Sequence, residues 1–107
     1  MTDFQNDVIA ASHRQPVLVD YHARWCNPCR MLGPVLAQAV RQAEGPLKLV
    51  AIDTDQEPAL AAAAGVSGIP DVRLYHGGEL IGAFTGFRPL PQVLSFIRDR
   101  LRLSAKT

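Results

Sequence analysis

The two cysteines of the 107-residue chain, Cys26 and Cys29, are separated only by Asn27 and Pro28. A disulfide between them would close a very short loop, so by the chain-entropy account it would stabilise the fold little. Two thiols this close suit thiol–disulfide exchange better. In that chemistry one thiolate attacks a substrate disulfide, and the neighbouring thiol then resolves the mixed disulfide. The spacing therefore indicates redox chemistry.

The residues on either side of the pair predict where it lies. An apolar, β-branched run over 16–23 predicts a buried strand, and apolar residues at helical spacing follow from Pro28 to Glu44. Cys26 is therefore expected at a helix N-terminus, where unpaired backbone N–H groups and the helix dipole favour the nucleophilic thiolate. Pro28 suits the first turn, because its missing N–H would have no partner there. Its ring would also help to hold the two sulfurs within bonding reach.

Asp20 is the candidate base for the second thiol. Three apolar residues precede it in the expected strand, so its carboxyl group is expected to be buried. Burial raises the pKa of a carboxyl group, and a group that titrates near neutral pH suits proton exchange with Cys29. An ordinary exposed aspartate at the strand end is the alternative.

Two alternatives to redox chemistry stay open for the cysteine pair. A zinc site needs about four ligands, and of the three histidines, His13, His22 and His76, no two are spaced as a ligand pair. An inert pair of buried cysteines is the second alternative. The position between strand and helix, next to a tryptophan, favours redox chemistry, and we expect no metal.

The rest of the chain predicts one α/β domain over residues 1–107, with elements in the order αβαβαββα. A strand, a helix and a second strand in the first half predict a parallel pair with a right-handed crossover. A closing hairpin adds antiparallel strands, so we expect a mixed sheet of four strands, or five, with helices on both faces. The remaining expected elements are an N-terminal helix, a strand at 47–53, a helix at 56–65, the hairpin at 71–86 and a last helix from Pro89 or Pro91.

Charge and hydropathy exclude several classes of partner. The 11 basic and 10 acidic residues are spread along the chain and give a formal net charge of +1, so no basic stripe predicts nucleic-acid binding. No apolar run approaches the roughly 20 residues that span a bilayer. The N-terminus lacks the basic and apolar regions of a secretory signal. We expect a cytoplasmic protein that binds neither membrane nor nucleic acid.

The motif "WCNPC", with Asp20, Pro34, Ile69-Pro70 and Gly86 in order, resembles the thioredoxin family over nearly the whole chain. The resemblance implies the thioredoxin fold and a protein-disulfide reductase that needs no metal or organic cofactor. It also implies a flavin-dependent thioredoxin reductase as the enzyme that recharges the pair. We expect a monomer or a weak dimer.

The resemblance also assigns roles to residues. Cys26 would be the exposed nucleophile, Cys29 the resolving thiol and Asp20 the buried proton acceptor. Pro70 would follow a cis peptide bond and face the cysteines. A substrate groove would be formed by Trp25, Ile69, Pro70 and Gly86, with ordinary packing as the alternative for Trp25 and Ile69.

Several residues depart from the family pattern near the active site. Asn27 stands where glycine is usual before Pro28, which we expect to change the redox potential. His22 stands where a large aromatic residue is usual; as a histidinium it would favour the thiolate of Cys26, or it would only pack. Asp71 follows Pro70 where a small hydroxyl residue is common. Its charge would oppose the thiolate and select basic substrates, unless it is simply a solvated carboxylate.

Three further departures concern the sheet. The chain opens on a helix rather than a strand, which leaves the strand at 47–53 as an open edge that invites pairing with another chain. Ala51 replaces a lysine that often accompanies the buried aspartate, so the tuning of Asp20 is in doubt. Arg73, between two apolar strand residues, is unexplained.

An alternative function comes from the same departures. Some thioredoxin-like domains are modules of redox-regulated chaperones or scaffolds with weak reductase activity. The missing first strand and the helical end of the chain, "FTGFRPLPQVLSFIRDRLRL", would fit such a module.

Overall fold

Strands and helices alternate along the chain in the order that the sequence predicts. The computed structural model describes residues 1–105. A π-helix (Gln5–Ala10) and a 3₁₀ turn (Ala11–His13) together form the N-terminal helical segment. The strands are β1 (Val17–His22), β2 (Lys48–Asp53), β3 (Asp71–His76) and β4 (Glu79–Thr85), and the α-helices are α1 (Asn27–Gln42), α2 (Pro58–Ala63) and α3 (Leu90–Ala105).

The four strands form one mixed sheet in the order β2-β1-β3-β4. β1 and β2 are parallel, whereas β1–β3 and β3–β4 are antiparallel. The predicted fold class is therefore confirmed, with four strands rather than five in the part of the chain that is described. β2 lies at the edge of the sheet and, over residues 1–105, pairs only with β1, as the absence of a preceding strand predicts.

Each face of the sheet has its own apolar core, because side chains alternate along a strand. On one face Leu18 and Leu74 pack with residues of α1 and α3. On the other, Val17 and Val19 pack with the N-terminal helical segment and with Leu60 of α2. Helices thus cover both faces, as predicted.

The alternation along β1 decides where its carboxyl group lies. Val19 and Tyr21 point into the core beneath the N-terminal helical segment. Asp20 therefore points to the opposite face with Leu18, which is the face covered by α1. The strand thus directs the one buried carboxyl group of β1 towards the helix that carries the cysteines.

Helix α1 continues through Pro34 to Gln42, so the proline does not end it. Leu32, Leu36 and Ala39 are fully buried at i, i+4 and i+7, and this apolar stripe anchors the helix on the sheet. The anchored stripe fixes the first turn of α1 over the carboxyl end of β1.

The segment between β2 and α2 is tied to the N-terminus. Glu57 is buried, and its carboxylate accepts hydrogen bonds from the backbone N–H of Thr2 at 2.7 Å and from the Thr2 hydroxyl at 3.0 Å. These two bonds satisfy the buried charge and hold residues 54–57 against the start of the chain. This segment also carries Asp55, which contacts the site described below.

Candidate active site

Cys26 and Cys29 are joined by a disulfide, with their Cα atoms 5.2 Å apart. Cys26 is the N-cap residue of α1, and its Sγ accepts the backbone N–H of Cys29 at 3.2 Å. This is the predicted position at the start of the helix. The sulfur of Cys26 takes the place of the oxygen that normally caps a helix, at the positive end of the helix dipole.

Both cysteines are buried in this oxidised state: Cys26 is 5% exposed and Cys29 is 4% exposed. Ala23 and Ile69 pack against the pair, and Cys26 Sγ lies 4.0 Å from the carbonyl oxygen of Ile69. The expectation of an exposed Cys26 is therefore wrong for the disulfide form, because two apolar neighbours cover it.

Asp20 is 5% exposed, which confirms its predicted burial and excludes the alternative of an exposed aspartate. Burial raises the pKa of this carboxyl group from 3.8 to about 6, with the nearby His22 charge acting in the opposite direction. Among residues 1–105, Oδ1 of Asp20 has no hydrogen-bond partner. Burial is therefore the cause of the raised pKa. Ala51 is the register partner of Asp20 on β2, so this position supplies no lysine.

The loop before β3 lies against the cysteine pair. The Ile69–Pro70 peptide bond is cis, as the resemblance implies. The carbonyl oxygen of Pro70 accepts the backbone N–H of Gly86 at 2.9 Å, and Gly86 has φ of +85°, a conformation that favours glycine. Three of the four residues predicted to form a groove are thus brought together.

Trp25, the fourth predicted groove residue, is 70% exposed. Its Nε1–H donates to Oδ2 of Asp55 at 2.8 Å, and this contact holds a large aromatic surface beside Cys26. Asp55 is a residue of the site that the sequence patterns did not single out. A signal for it exists, because Asp55 follows β2 and the carboxyl ends of two parallel strands meet at the same edge of a sheet.

A surface cleft opens beside Cys29. It is lined by His22, Ala23, Arg24, Cys29 and Arg30. His22 therefore lies next to Cys29, whereas the sequence associated it with Cys26. Asn27 and Pro28, between the cysteines, are both exposed. We call the cleft lined by His22, Ala23, Arg24, Cys29 and Arg30 the arginine cleft.

Asp71 does not present a free charge. It is 5% exposed, and its two carboxylate oxygens accept hydrogen bonds from Nε and Nη2 of Arg73, each at 3.1 Å. The expectation of an exposed carboxylate that repels the thiolate is therefore wrong, and so is the alternative of a solvated carboxylate. The unexplained Arg73 is the partner that neutralises Asp71.

Arg73 also contacts the residue that precedes the loop of residues 65–70, whereas Asp71 follows that loop. Its Nη1 donates to the carbonyl oxygen of Ala64 at 2.6 Å, and its guanidinium lies 5.5 Å from the centre of the Tyr21 ring. Since Ala64 precedes and Asp71 follows residues 65–70, one guanidinium joins both ends of the loop that carries Ile69 and Pro70.

No group of three or more His, Cys, Asp or Glu side chains in residues 1–105 is placed to hold a metal ion. No helix in that range combines the length and the apolar character needed to cross a membrane.

A disulfide that caps a helix, beside a cis-proline loop on a four-stranded mixed sheet, can be opened and closed by exchange with another disulfide. Fold and site together define a dithiol–disulfide oxidoreductase.

Comparison with known proteins leads to the family. The thioredoxin family model matches residues 1–99. A thioredoxin of Streptomyces clavuligerus is 40% identical over 91 residues, which cover 85% of this chain and 82% of the relative. A thioredoxin of Griffithsia pacifica is 35% identical over 101 residues, covering 94% and 91%, and one of a Synechocystis strain is 36% identical over 98 residues, covering 92% and 90%. The chain belongs to the thioredoxin family.

Family membership and the Cys26–Cys29 pair at bonding distance make this protein a thiol–disulfide oxidoreductase with protein-disulfide reductase activity. The comparisons do not favour the alternative of a chaperone or scaffold module with weak activity.

The pKa of Asp20 leads to a test of stability against pH. Because the pKa of Asp20 is higher in the folded protein than in the unfolded chain, folding is favoured by the protonated form. Stability should fall as the pH rises from about 4 through about 6. Asp20→Asn removes this loss. Relative to the original protein, we expect the variant to gain about 2 kcal/mol of unfolding free energy between pH 4 and pH 7, measured by urea denaturation of the oxidised protein.

The control is Asp99→Asn, because the Asp99 side chain is 60% exposed on α3. This variant should keep the pH dependence of the original protein. Parallel stability profiles for Asp20→Asn and the original protein would show that Asp20 does not titrate in this range.

The pairing of Asp71 and Arg73 is tested by a double-mutant cycle. Each of Asp71→Thr and Arg73→Met leaves a partner in a largely buried site, so each should destabilise the fold by about 2–4 kcal/mol. The double variant should be less destabilised than the sum of the two, with a coupling energy of about 1–3 kcal/mol in urea unfolding. Additive effects would contradict the pairing.

Proposed function

We propose that this protein reduces protein disulfides with Cys26 as the attacking thiol and Cys29 as the resolving thiol. The observation that carries the assignment is the position of Cys26 at the N-cap of α1, where its sulfur accepts the N–H of Cys29 at 3.2 Å. A thiolate at this position is stabilised by that hydrogen bond and by the helix dipole.

The first step is attack by the Cys26 thiolate on one sulfur of the substrate disulfide. A new S–S bond forms between Cys26 and the substrate, and the S–S bond of the substrate breaks. The departing substrate sulfur carries the electron pair and takes a proton from water. The mixed disulfide is the intermediate.

The second step begins when Cys29 transfers its proton to the carboxylate of Asp20. The Cys29 thiolate then attacks Sγ of Cys26, and the second substrate sulfur leaves as a thiolate, which is protonated in turn. Two electrons have passed from the protein to the substrate. A carboxyl group with pKa of about 6 suits this role, because it is mostly ionised at neutral pH and still basic enough to accept a proton.

We assign substrate binding to Trp25, Ile69, Pro70 and Gly86. The close approach of Ile69 to Cys26 Sγ, at 4.0 Å, supports this assignment. The backbone of Ile69 would pair with an extended peptide, and the exposed indole of Trp25 would cover the apolar part of that peptide.

Four residues are proposed to tune the pair. Asn27 and Pro28 would set the redox potential from the exposed first turn of α1. His22 would act from the arginine cleft, next to Cys29. Asp71 would act through Arg73, by holding the loop that carries Ile69.

Family membership supports a proposal for the partners, and the location is proposed with it. The oxidised protein needs two electrons before it can react again, and we propose that a flavin-dependent thioredoxin reductase supplies them. The protein would then carry electrons between that enzyme and protein disulfides in the cytoplasm, in the service of cell redox homeostasis. We propose a single-domain monomer or weak dimer, with the open edge of β2 as the surface for self-association.

The roles of the cysteines are tested by the reduction of insulin with dithiothreitol. Cys26→Ser should abolish catalysis, because the attacking sulfur is gone. Cys29→Ser should instead accumulate the mixed disulfide, because the resolving sulfur is gone, and mass spectrometry of the non-reduced adduct measures it. Catalysis retained in Cys26→Ser would contradict the mechanism. If the protein protects a client from aggregation and Cys26→Ser protects it equally well, the chaperone module would be favoured.

The role of His22 is tested by the pH profile of iodoacetamide alkylation of reduced Cys26. If the His22 charge favours the thiolate, His22→Phe should move the profile to higher pH by about 0.5 pH unit, the order expected for one nearby solvated charge. His13→Gln, at an exposed position on the N-terminal helical segment, is the control. An unchanged profile in His22→Phe would remove His22 from the mechanism.

A further inference from the structure

The arginine cleft adds a charged surface to the active site, beside the apolar groove. Its walls come from two elements: His22 ends β1 and Arg24 follows it, whereas Arg30 lies in the first turns of α1. Cys29 also lines the cleft. Arginines from two different elements therefore share one cleft with the resolving cysteine.

Both arginines are available to a ligand. The Arg24 side chain is 82% exposed, and its ion pair with Asp53 is long, at 4.0 Å. Arg30 is exposed, and over residues 1–105 it forms no ion pair. A long, exposed pair contributes little binding free energy, so neither guanidinium is committed to an internal partner.

The acidic side chains near the site are already engaged. Oδ1 of Asp53 accepts the backbone N–H groups of Asp55 and Gln56. Oδ2 of Asp55 accepts the indole N–H of Trp25. Asp71 is buried against Arg73, and Asp20 is buried. The described lining of the cleft contains two arginines and no carboxylate, and the positive end of α1 adds to its positive charge.

We propose that the arginine cleft binds carboxylate side chains of the substrate, so that the preferred substrates are protein disulfides flanked by Asp or Glu. This inference rests on the proposed function. Guanidinium groups match the planar geometry of a carboxylate. The Cα atoms of Cys26 and Cys29 are 5.2 Å apart, and an extended chain advances about 3.3 Å per residue. A carboxylate about two or three residues from the attacked cysteine would thus reach the cleft.

The preference should appear in association more than in chemistry. Attraction between an acidic substrate and the cleft raises the rate of encounter and is screened by salt. The bonds that form and break at Cys26 are the same for every substrate. The second-order rate constant should therefore depend on the charge of the substrate at low ionic strength. At high ionic strength it should be the same for all substrates.

The experiment uses the reduced full chain and three fluorogenic peptide disulfides of equal length. The residues two and three positions from the cysteine, on both sides, are Glu in the first peptide, Gln in the second and Lys in the third. Second-order rate constants are measured in single-turnover stopped flow at low salt and at high salt. The variants are Arg24→Gln, Arg30→Gln and the double variant. Arg41→Gln, an exposed arginine farther along α1 and outside the cleft, is the matched control.

We expect the Glu peptide to react about fivefold faster than the Gln peptide at low salt, and the Lys peptide to react slowest. The ratio of Glu to Gln should fall towards one in the double variant and at high salt, and should be kept in Arg41→Gln. Equal rates for the three peptides, or a ratio unchanged in the double variant, would overturn the inference while leaving the proposed function intact. Reaction with none of the three would overturn the proposed function and the inference with it.

Discussion

The contact on which the site depends is the hydrogen bond from the backbone N–H of Cys29 to the sulfur of Cys26. Cys26 has an extended backbone, with φ of −89° and ψ of 107°, and the next residue begins α1. With Cys26 as the proposed attacking thiol, the same sulfur is both helix cap and reactive atom. Because a thiolate accepts a hydrogen bond better than a neutral thiol, the proposed mechanism makes helix capping and activation of the nucleophile one interaction. The position of Cys29 one turn later follows from the helix itself.

The sheet topology determines what else can reach that sulfur. β1 and β3 are antiparallel, and Tyr21 pairs with Asp71, so the residues that follow β1 and those that precede β3 share one edge. The β3–β4 hairpin returns to the same edge, where Thr85 pairs with Asp71. The cysteine pair, the cis-proline loop and Gly86 come from distant parts of the chain and meet for this reason. The strand pairings assemble the site, and local propensity alone would not.

Sequence patterns predict the elements well, because the periodicity of buried residues is local information. They predict the helix start at Cys26, since a first turn favours proline at a position such as Pro28, and the burial of Asp20, since apolar residues precede it. They do not predict the pairing of Trp25 with Asp55, which depends on the relative position of loops 30 residues apart. The Asp71–Arg73 pair is an intermediate case. Residues two apart share a strand face, so the sequence allows the pair to be predicted. The burial that removes the charge of Asp71 from the surface could not be predicted in this way.

The uneven charge around the active site shows why composition says little about substrate choice. The formal net charge is only +1, yet the acidic side chains near the disulfide are engaged in internal bonds to Trp25, Arg73 and backbone N–H groups. Arginines on both sides of the "WCNPC" motif keep their charge in solvent. A carboxylate that is buried against a counter-charge, as Asp71 is against Arg73, contributes little to the field that an incoming polypeptide meets, whereas an exposed arginine contributes more. The fold therefore places a cleft, lined among the described residues by two arginines and no carboxylate, beside the cysteine pair of a nearly neutral chain.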